Sequence, residues 1–297
     1  MLNSKIKSLK INLKFIIKNL KLSYSADFPL VGRHGILLSI MYYKSADEFK
    51  TAAGYDTGGQ WFPRVTKILE IKSKPALYRY YGAAKSFEEA EAKTQKSAEE
   101  GTLVHETVEK IMVGESPVVP PEIAPAVEAT VSFLKNNDIK VEAPHVERRI
   151  INFAHRYSGT IDAMATIGGK FGVLDIKTSQ SIYRDYNLQT SAYMDALKRE
   201  PEFARLETRW ILRIDQQKDC RRCQATLRPK GGQDKIKTAY RGAIPACPED
   251  GHDWSELKGI VELKEFPYWR DDFQAFLAAK KLWEWENIFW LQKVGYL

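Results

Sequence analysis

The sequence predicts an α/β protein whose core is a mixed β-sheet flanked by helices. Three observations carry this expectation. An amphipathic helical stretch, "GTLVHETVEKIMVG" (residues 101–114), comes first. An antiparallel hairpin follows, because alternating residues flank a Gly168-Gly169 pair in "YSGTIDAMATIGGKFGVLDIKTS". A helix, "RDYNLQTSAYMDALKRE", and a strand, "TRWILRID", come next, and helix, hairpin, helix, strand in that order is the pattern of an α/β fold with a mixed sheet.

Taken in chain order, residues 1–40 hold six lysines and Arg33 against Asp27 alone, a net charge of +6 out of +7 for the whole chain. They lack a continuous apolar run and a small-residue cleavage site, so they are not read as a signal peptide. They are expected to be a basic tail, disordered or lying ahead of a translation start at Met41, with the folded domain over residues 41–297. From Trp61 the text becomes regular. "FPRVTKILEIKSKPALYRYY" reads as a turn, a short helix with Val65, Ile68 and Leu69 on one side, and a second helix opening at Pro75. Ser86 to Glu100 reads as a solvated helix or linker. In residues 101–114, Val104, Val108, Ile111 and Met112 recur at helical spacing, with Gly101 before them and Gly114 as the stop.

A Pro-rich loop (116–125), a helix to about Asn137 and strand-like text from Val141 to Phe153 lead into the hairpin. The chain is expected to close with one helix, "RDDFQAFLAAKKLWEWENIFWLQK", whose Trp283, Trp285, Phe289 and Trp290 are read as core. Residues 216–254, weakly periodic and containing all three cysteines, read as an insertion. Within residues 218–241, eight basic side chains face only Asp219 and Asp234, again a net of +6.

The second hairpin strand poses a question. Phe171, Val173, Asp175 and Lys177 share one face, since side chains alternate with a period of two. Charge thus follows apolar residues on the same side. On the first strand Asp162 falls on the face of Thr160 and Met164, and the turn can bring it near Asp175. Two converging carboxylates repel unless a cation neutralises them, and hard divalent ions prefer oxygen ligands. An ordinary Asp175–Lys177 ion pair at a sheet edge is the alternative for this motif taken alone.

The wider pattern resembles the RecB-like branch of the PD-(D/E)XK nuclease superfamily. The resemblance runs through "VTKIL", "GTLVHETVE", "GTIDAM", "VLDIKTS" and "NLQTSAYMDAL", roughly residues 61–215, in the family's order. It implies a restriction-endonuclease-like core. It matches His105 to the family's helix histidine, Asp162 to the hairpin aspartate, Asp175 and Lys177 to the signature acid and lysine, and Gln189 and Tyr193 to the Q-x-x-x-Y motif. Gln189 and Tyr193, four apart, share a helical face.

The implied site holds Mg²⁺ or Mn²⁺ on His105, Asp162, Asp175 and the backbone carbonyl of Ile176. Lys177 orients or stabilises an attacking hydroxide, and Gln189 and Tyr193 position strand or site groups. Glu109, one turn after His105, is a further ligand, a group supporting the ligands, or a solvated surface glutamate.

The insertion carries a Cys₃His set, Cys220, Cys223, Cys247 and His252, with a true C-x-x-C first half. That set suits a structural Zn²⁺, free thiols being the alternative. Some RecB-like relatives carry a four-cysteine iron-sulfur cluster; with three cysteines in the chain, none is expected here. The surrounding basic residues suit phosphate contacts.

These readings lead to an expected activity: metal-dependent hydrolysis of DNA, single-stranded or with free ends, by an exonuclease of replication, recombination or repair. It would be similar to phage-type exonucleases, mitochondrial genome-maintenance exonucleases and CRISPR spacer-acquisition nucleases. A non-catalytic DNA-binding or assembly protein and an RNA nuclease are the competing readings. No phosphate-loop motif of a helicase is present, so a helicase, recombinase or single-strand-binding protein is the expected kind of partner. The odd cysteine count and the lack of a secretory signal suggest a reducing, cytoplasmic setting, and no run approaches the roughly 20 apolar residues of a membrane span.

Overall fold

The computed structural model describes residues 43–72, 74, 80–238 and 247–297. The readings of residues 1–40, of a start at Met41 and of a helix opening at Pro75 lie outside these residues. The chain enters through α1 (Ala46–Ala53), capped by Ser45, whose hydroxyl accepts the Glu48 N–H at 3.1 Å. A small hairpin, β1 (Gly54–Thr57) and β2 (Gln60–Pro63), then leads to α2 (Val65–Leu69). The sequence reading recognised α2 and missed α1, β1 and β2, short elements with little periodic text, taking Phe62 and Pro63 of β2 as a turn.

The next helix departs from expectation. Residues 86–100 and 101–114 form one unbroken helix, α3 (Phe87–Met112), which runs straight through Gly101. Its start carries an S-x-x-E pattern, and the Ser86 hydroxyl accepts the Glu89 N–H at 3.0 Å. Gly101 is buried because the chain after Lys177 packs on it, so it is a contact point and not a helix boundary.

After α4 (Ala124–Asn136), the strand-like text of residues 141–153 is divided between two sheets. β3 (Lys140–Val141) pairs with β6 (Ala163–Ile167), whereas β4 (Arg148–Asn152) pairs with β5 (Tyr157–Ile161). The main hairpin is β6 (Ala163–Ile167) and β7 (Lys170–Lys177), turning at Gly168 and Gly169 with φ of +57° and +80°. Positive φ at both positions is what a primed turn demands.

α5 (Asp185–Lys198) crosses to β8 (Thr208–Asp219), which lies parallel to β7; the other pairings are antiparallel, so the sheet is mixed. Its order is β10-β9-β8-β7-β6-β3, with β11 (Lys258–Glu265) also paired to β8. β9 (Thr226–Lys230) and β10 (Gln233–Lys237) come from the expected insertion, and residues 216–219 continue β8.

Helices cover both faces. On one, Leu174, Ile176, Leu212 and Ile214 pack against Val104 and Val108 of α3 and Ala126 and Val127 of α4. On the other, Phe171, Val173 and Met164 meet α5 and α6 (Arg270–Glu286). Each large aliphatic or aromatic side chain buried this way contributes about 1.5–3 kcal/mol. The closing helix is interrupted at Asn287, and α7 (Ile288–Lys293) follows. Trp283 and Trp290 are buried as expected, but Trp285 is 70% exposed and does not belong to the core. Among the described residues, no helix is long and apolar enough to cross a membrane.

Candidate active site and metal centres

Four pieces of backbone meet where β7 ends. α3 brings His105 and Glu109, one helical turn apart; β7 brings Asp175 and Lys177; α5 brings Gln189 and Tyr193, also one turn apart. Asp162 sits in the bend between β5 and β6, not within a strand as the alternation implied. The bend moves the chain from one sheet to the other, and the Asp162 carboxylate closes the seam by accepting the Ile176 N–H at 2.6 Å.

His105 bridges two carboxylates, with Nδ1 3.0 Å from Glu109 Oε1 and Nε2 3.1 Å from Asp162 Oδ2. Ligand-type atoms of these three residues lie within 4.8 Å of one another. Asp175 stands outside that trio. Its Oδ2 is 2.6 Å from Lys177 Nζ, and its Oδ1 accepts from Gln189 Nε2 at 3.2 Å. Gln189 Nε2 also donates to Tyr193 Oη at 2.9 Å, so the Q-x-x-x-Y pair orients the Asp175 carboxylate. Lys177 Nζ donates to the Ile176 carbonyl at 3.3 Å, and that ammonium lies 5.3 Å from the centre of the Tyr186 ring.

The electrostatics are those of a crowded acidic pocket. Burial strongly opposes ionisation of Asp175 and pushes it up to about 7; the Asp162 charge adds to the push and Lys177 resists it. Burial acts on Asp162 too, yet Lys177, His105 and the Ile176 N–H hold it below the usual carboxylate range. For His105, burial disfavours the cation, but the adjacent Asp162 and Glu109 carboxylates prevail and raise it to about 10. Lys177, although partly buried, is held above its ordinary value by Asp175 and Asp162.

These residues suit a divalent cation. Glu109 Oε1 and Asp175 Oδ2 are buried and make no well-directed hydrogen bond, even though each has a cation nearby. One imidazole and several carboxylate oxygens form a donor set that could hold a metal ion. Glu109 is 7% exposed, which excludes its reading as a solvated surface glutamate.

Glu147 carries no signal in the sequence pattern. It sits at φ +52°, donates its N–H to the Asp162 carbonyl at 3.0 Å, and, although exposed as a residue, has its carboxyl pushed up to about 8 by the partial burial of that group and then by Glu109 and Asp162. It is a fourth acid of this pocket, delivered by a left-handed backbone position that no periodicity announces.

A second cluster lies in the insertion. Ligand atoms of Cys220, Cys223, Cys247 and His252 lie within 4.8 Å of one another, and Cys223 Sγ is 3.4 Å from His252 Nδ1. This Cys₃His group can hold a metal such as zinc. Gln224 at φ +61° turns the chain after C-x-x-C, so that Cys220 N–H donates to the Ala225 carbonyl at 2.7 Å. Burial opposes the Cys220 thiolate, but backbone N–H groups of Cys223, Arg222 and Asp253 and the His252 ring bring the thiol down to about 6. Cys247 is pushed up to about 11 by burial and by the two neighbouring sulfurs, the mutual repulsion that a cation relieves. The His252 ring stacks on Trp254 with centroids 4.5 Å apart.

Several basic side chains of this region are already engaged. Arg228 grips Asp215 at 2.6–2.8 Å, Arg221 pairs with Asp253 at 3.2 Å, and Lys258 pairs with Asp219. No protein-family model matches the chain, and no curated protein matches it.

Proposed function

We propose that this protein is a divalent-metal-dependent nuclease of the RecB-like PD-(D/E)XK kind that hydrolyses phosphodiester bonds of DNA as an exonuclease. The observation that carries the reading is the juxtaposition of the His105, Glu109 and Asp162 ligand atoms with the buried Asp175 and its partner Lys177. A metal site beside a partly buried ammonium is a constellation that suits phosphoryl chemistry.

His105, Glu109 and Asp162 would hold Mg²⁺ or Mn²⁺, with Asp175 and the Ile176 carbonyl beside them. When bound, such an ion lowers the pKa of a water and offsets phosphate charge. The chain's own contribution is Lys177, a compact positive charge in low-dielectric surroundings, available to orient a water or to stabilise negative charge developing on phosphate oxygens. Gln189 fixes Asp175, and Asp175 in turn fixes Lys177, through contacts of 3.2 and 2.6 Å. The Cys₃His group would hold a structural Zn²⁺.

The test is incubation of end-labelled linear and circular single-stranded DNA with the protein, in Mg²⁺ or Mn²⁺ and in EDTA. The proposal expects metal-dependent loss of the linear strand alone. Loss of both would mean endonuclease action, and DNA binding without cleavage would favour a non-catalytic role.

A further inference from the structure

The β9–β10 hairpin reaches from the Cys₃His cluster to the chain segment that follows Lys177. At its root, β9 is joined to β8 by two residue pairs, Lys218 with Leu227 and Asp219 with Thr226. The cysteine cluster immediately precedes it: the Cys220–Ala225 bond closes the C-x-x-C turn, and Cys220 bridges to Trp254. At its tip, Gly231 N–H donates to Glu100 Oε2 of α3 at 3.0 Å, and a Cβ on Gly231 would lie 2.8 Å from the Lys93 carbonyl. The tip is therefore seated on the helix that carries His105.

Between root and tip, the hairpin grips one carbonyl. Thr178 O accepts from Lys230 Nζ and, at 3.2 Å, from Arg228 Nη2. Arg228 is itself locked by Asp215, and Arg213 Nη1 reaches the next carbonyl, Ser179 O, at 3.4 Å. On the other side, a Cβ on Gly101 would lie 2.5 Å from Thr178 Oγ1, so the same residue is pressed against α3. Thr178 directly follows Lys177, the last residue of β7. Two cationic donors on one carbonyl hold the end of that strand far more firmly than a loop would hold itself.

We propose that the Cys₃His element is a positioning device for the active site: by setting the β9–β10 hairpin, it places Lys230 and Arg228 on the Thr178 carbonyl and so fixes Lys177 relative to α3. In this role Lys230 and Arg228 are positioning residues and not phosphate contacts. The inference rests on the nuclease reading for what it does to turnover, but its structural half stands without it.

The experiment uses the full chain loaded with zinc and two readouts, the first taken without Mg²⁺ and the second with it. The first is the backbone amide resonance of Ser179, whose peptide carbonyl partner is Thr178 O. Removal of zinc and Lys230→Met should each shift it, and zinc removal from Lys230→Met should shift it by less than zinc removal from the unaltered protein, because only the Arg228 contact is left to lose. Zinc content equal to that of the unaltered protein is the folding control for Lys230→Met, and Lys230→Arg, which keeps a donor, should restore the resonance in part.

The second readout is cleavage. Lys230→Met should lower kcat by roughly 10–100-fold with KM for DNA unchanged, whereas a raised KM with kcat intact would make Lys230 a DNA contact and overturn the proposal. A Ser179 resonance indifferent to zinc removal would overturn it as well. If the unaltered protein cleaves nothing, the nuclease reading fails while the resonance still decides the positioning claim.

Discussion

Asp162 accepts the backbone N–H of Ile176 at 2.6 Å, tying the bend before β6 to the strand that carries Asp175 and Lys177. The same Oδ2 is 3.1 Å from His105 Nε2, so one carboxylate is both a fastener between strands and a candidate metal ligand. Asp162→Asn keeps the shape and removes the charge. It should abolish Mn²⁺ binding at this site while leaving the circular dichroism spectrum unchanged; Mn²⁺ titration followed by electron paramagnetic resonance measures it, and retained affinity would remove Asp162 from the ligand set.

A pH effect follows from three groups of the metal-free pocket. Asp175 rises from 3.8 to about 7, Glu147 from 4.5 to about 8, and His105 from 6.5 to about 10. Each holds its proton more tightly folded than unfolded, so its contribution is complete below the unfolded pKa and is lost as pH rises through the folded one. Asp162 has the opposite sign and acts only below its ordinary value of 3.8. Thermal melts in Mg²⁺-free buffer should therefore show stability declining from pH 5 to pH 8, and Mn²⁺ should restore more at pH 8 than at pH 5. Equal stabilisation at both would contradict this electrostatic picture.

Gly159 is where Tyr193 lies against β5: a Cβ there would be 2.6 Å from Tyr193 Cε1. Gly159→Ala must displace the ring and, through the 2.9 Å bond, Gln189. A destabilisation of about 1–3 kcal/mol is expected from the overpacking, read from urea denaturation. A neutral result would mean that the α5–β5 contact yields freely.

Cys220→Ser should take the metal content of the insertion from about one zinc per chain to none and make residues 220–254 sensitive to proteases. Elemental analysis and limited proteolysis report the two effects. Absence of zinc in the unaltered protein would leave the Cys₃His group as free thiols.

How much of this was legible in the sequence depends on the range of the interactions. The β6–β7 hairpin, the shared face of Asp175 and Lys177, and the one-turn pairs His105–Glu109 and Gln189–Tyr193 follow from local periodicity and a Gly-Gly turn, and the geometry brings them together. Gly101 looked like a boundary because glycine weakens helices, and only the tertiary approach of Thr178 explains it. Glu147 and the pairing of β11 with β8 across the insertion are set by backbone twist and long-range partners, to which no window of sequence is sensitive.

The central claim is that a metal-binding pocket and Lys177 together cut DNA. The most direct measurement compares the intact protein with Lys177→Ala for Mn²⁺ binding and for Mn²⁺-dependent cleavage of end-labelled single-stranded DNA. Lys177→Ala should still bind Mn²⁺ but lose cleavage by at least roughly 10²-fold. Cleavage by Lys177→Ala at the rate of the intact protein would contradict it.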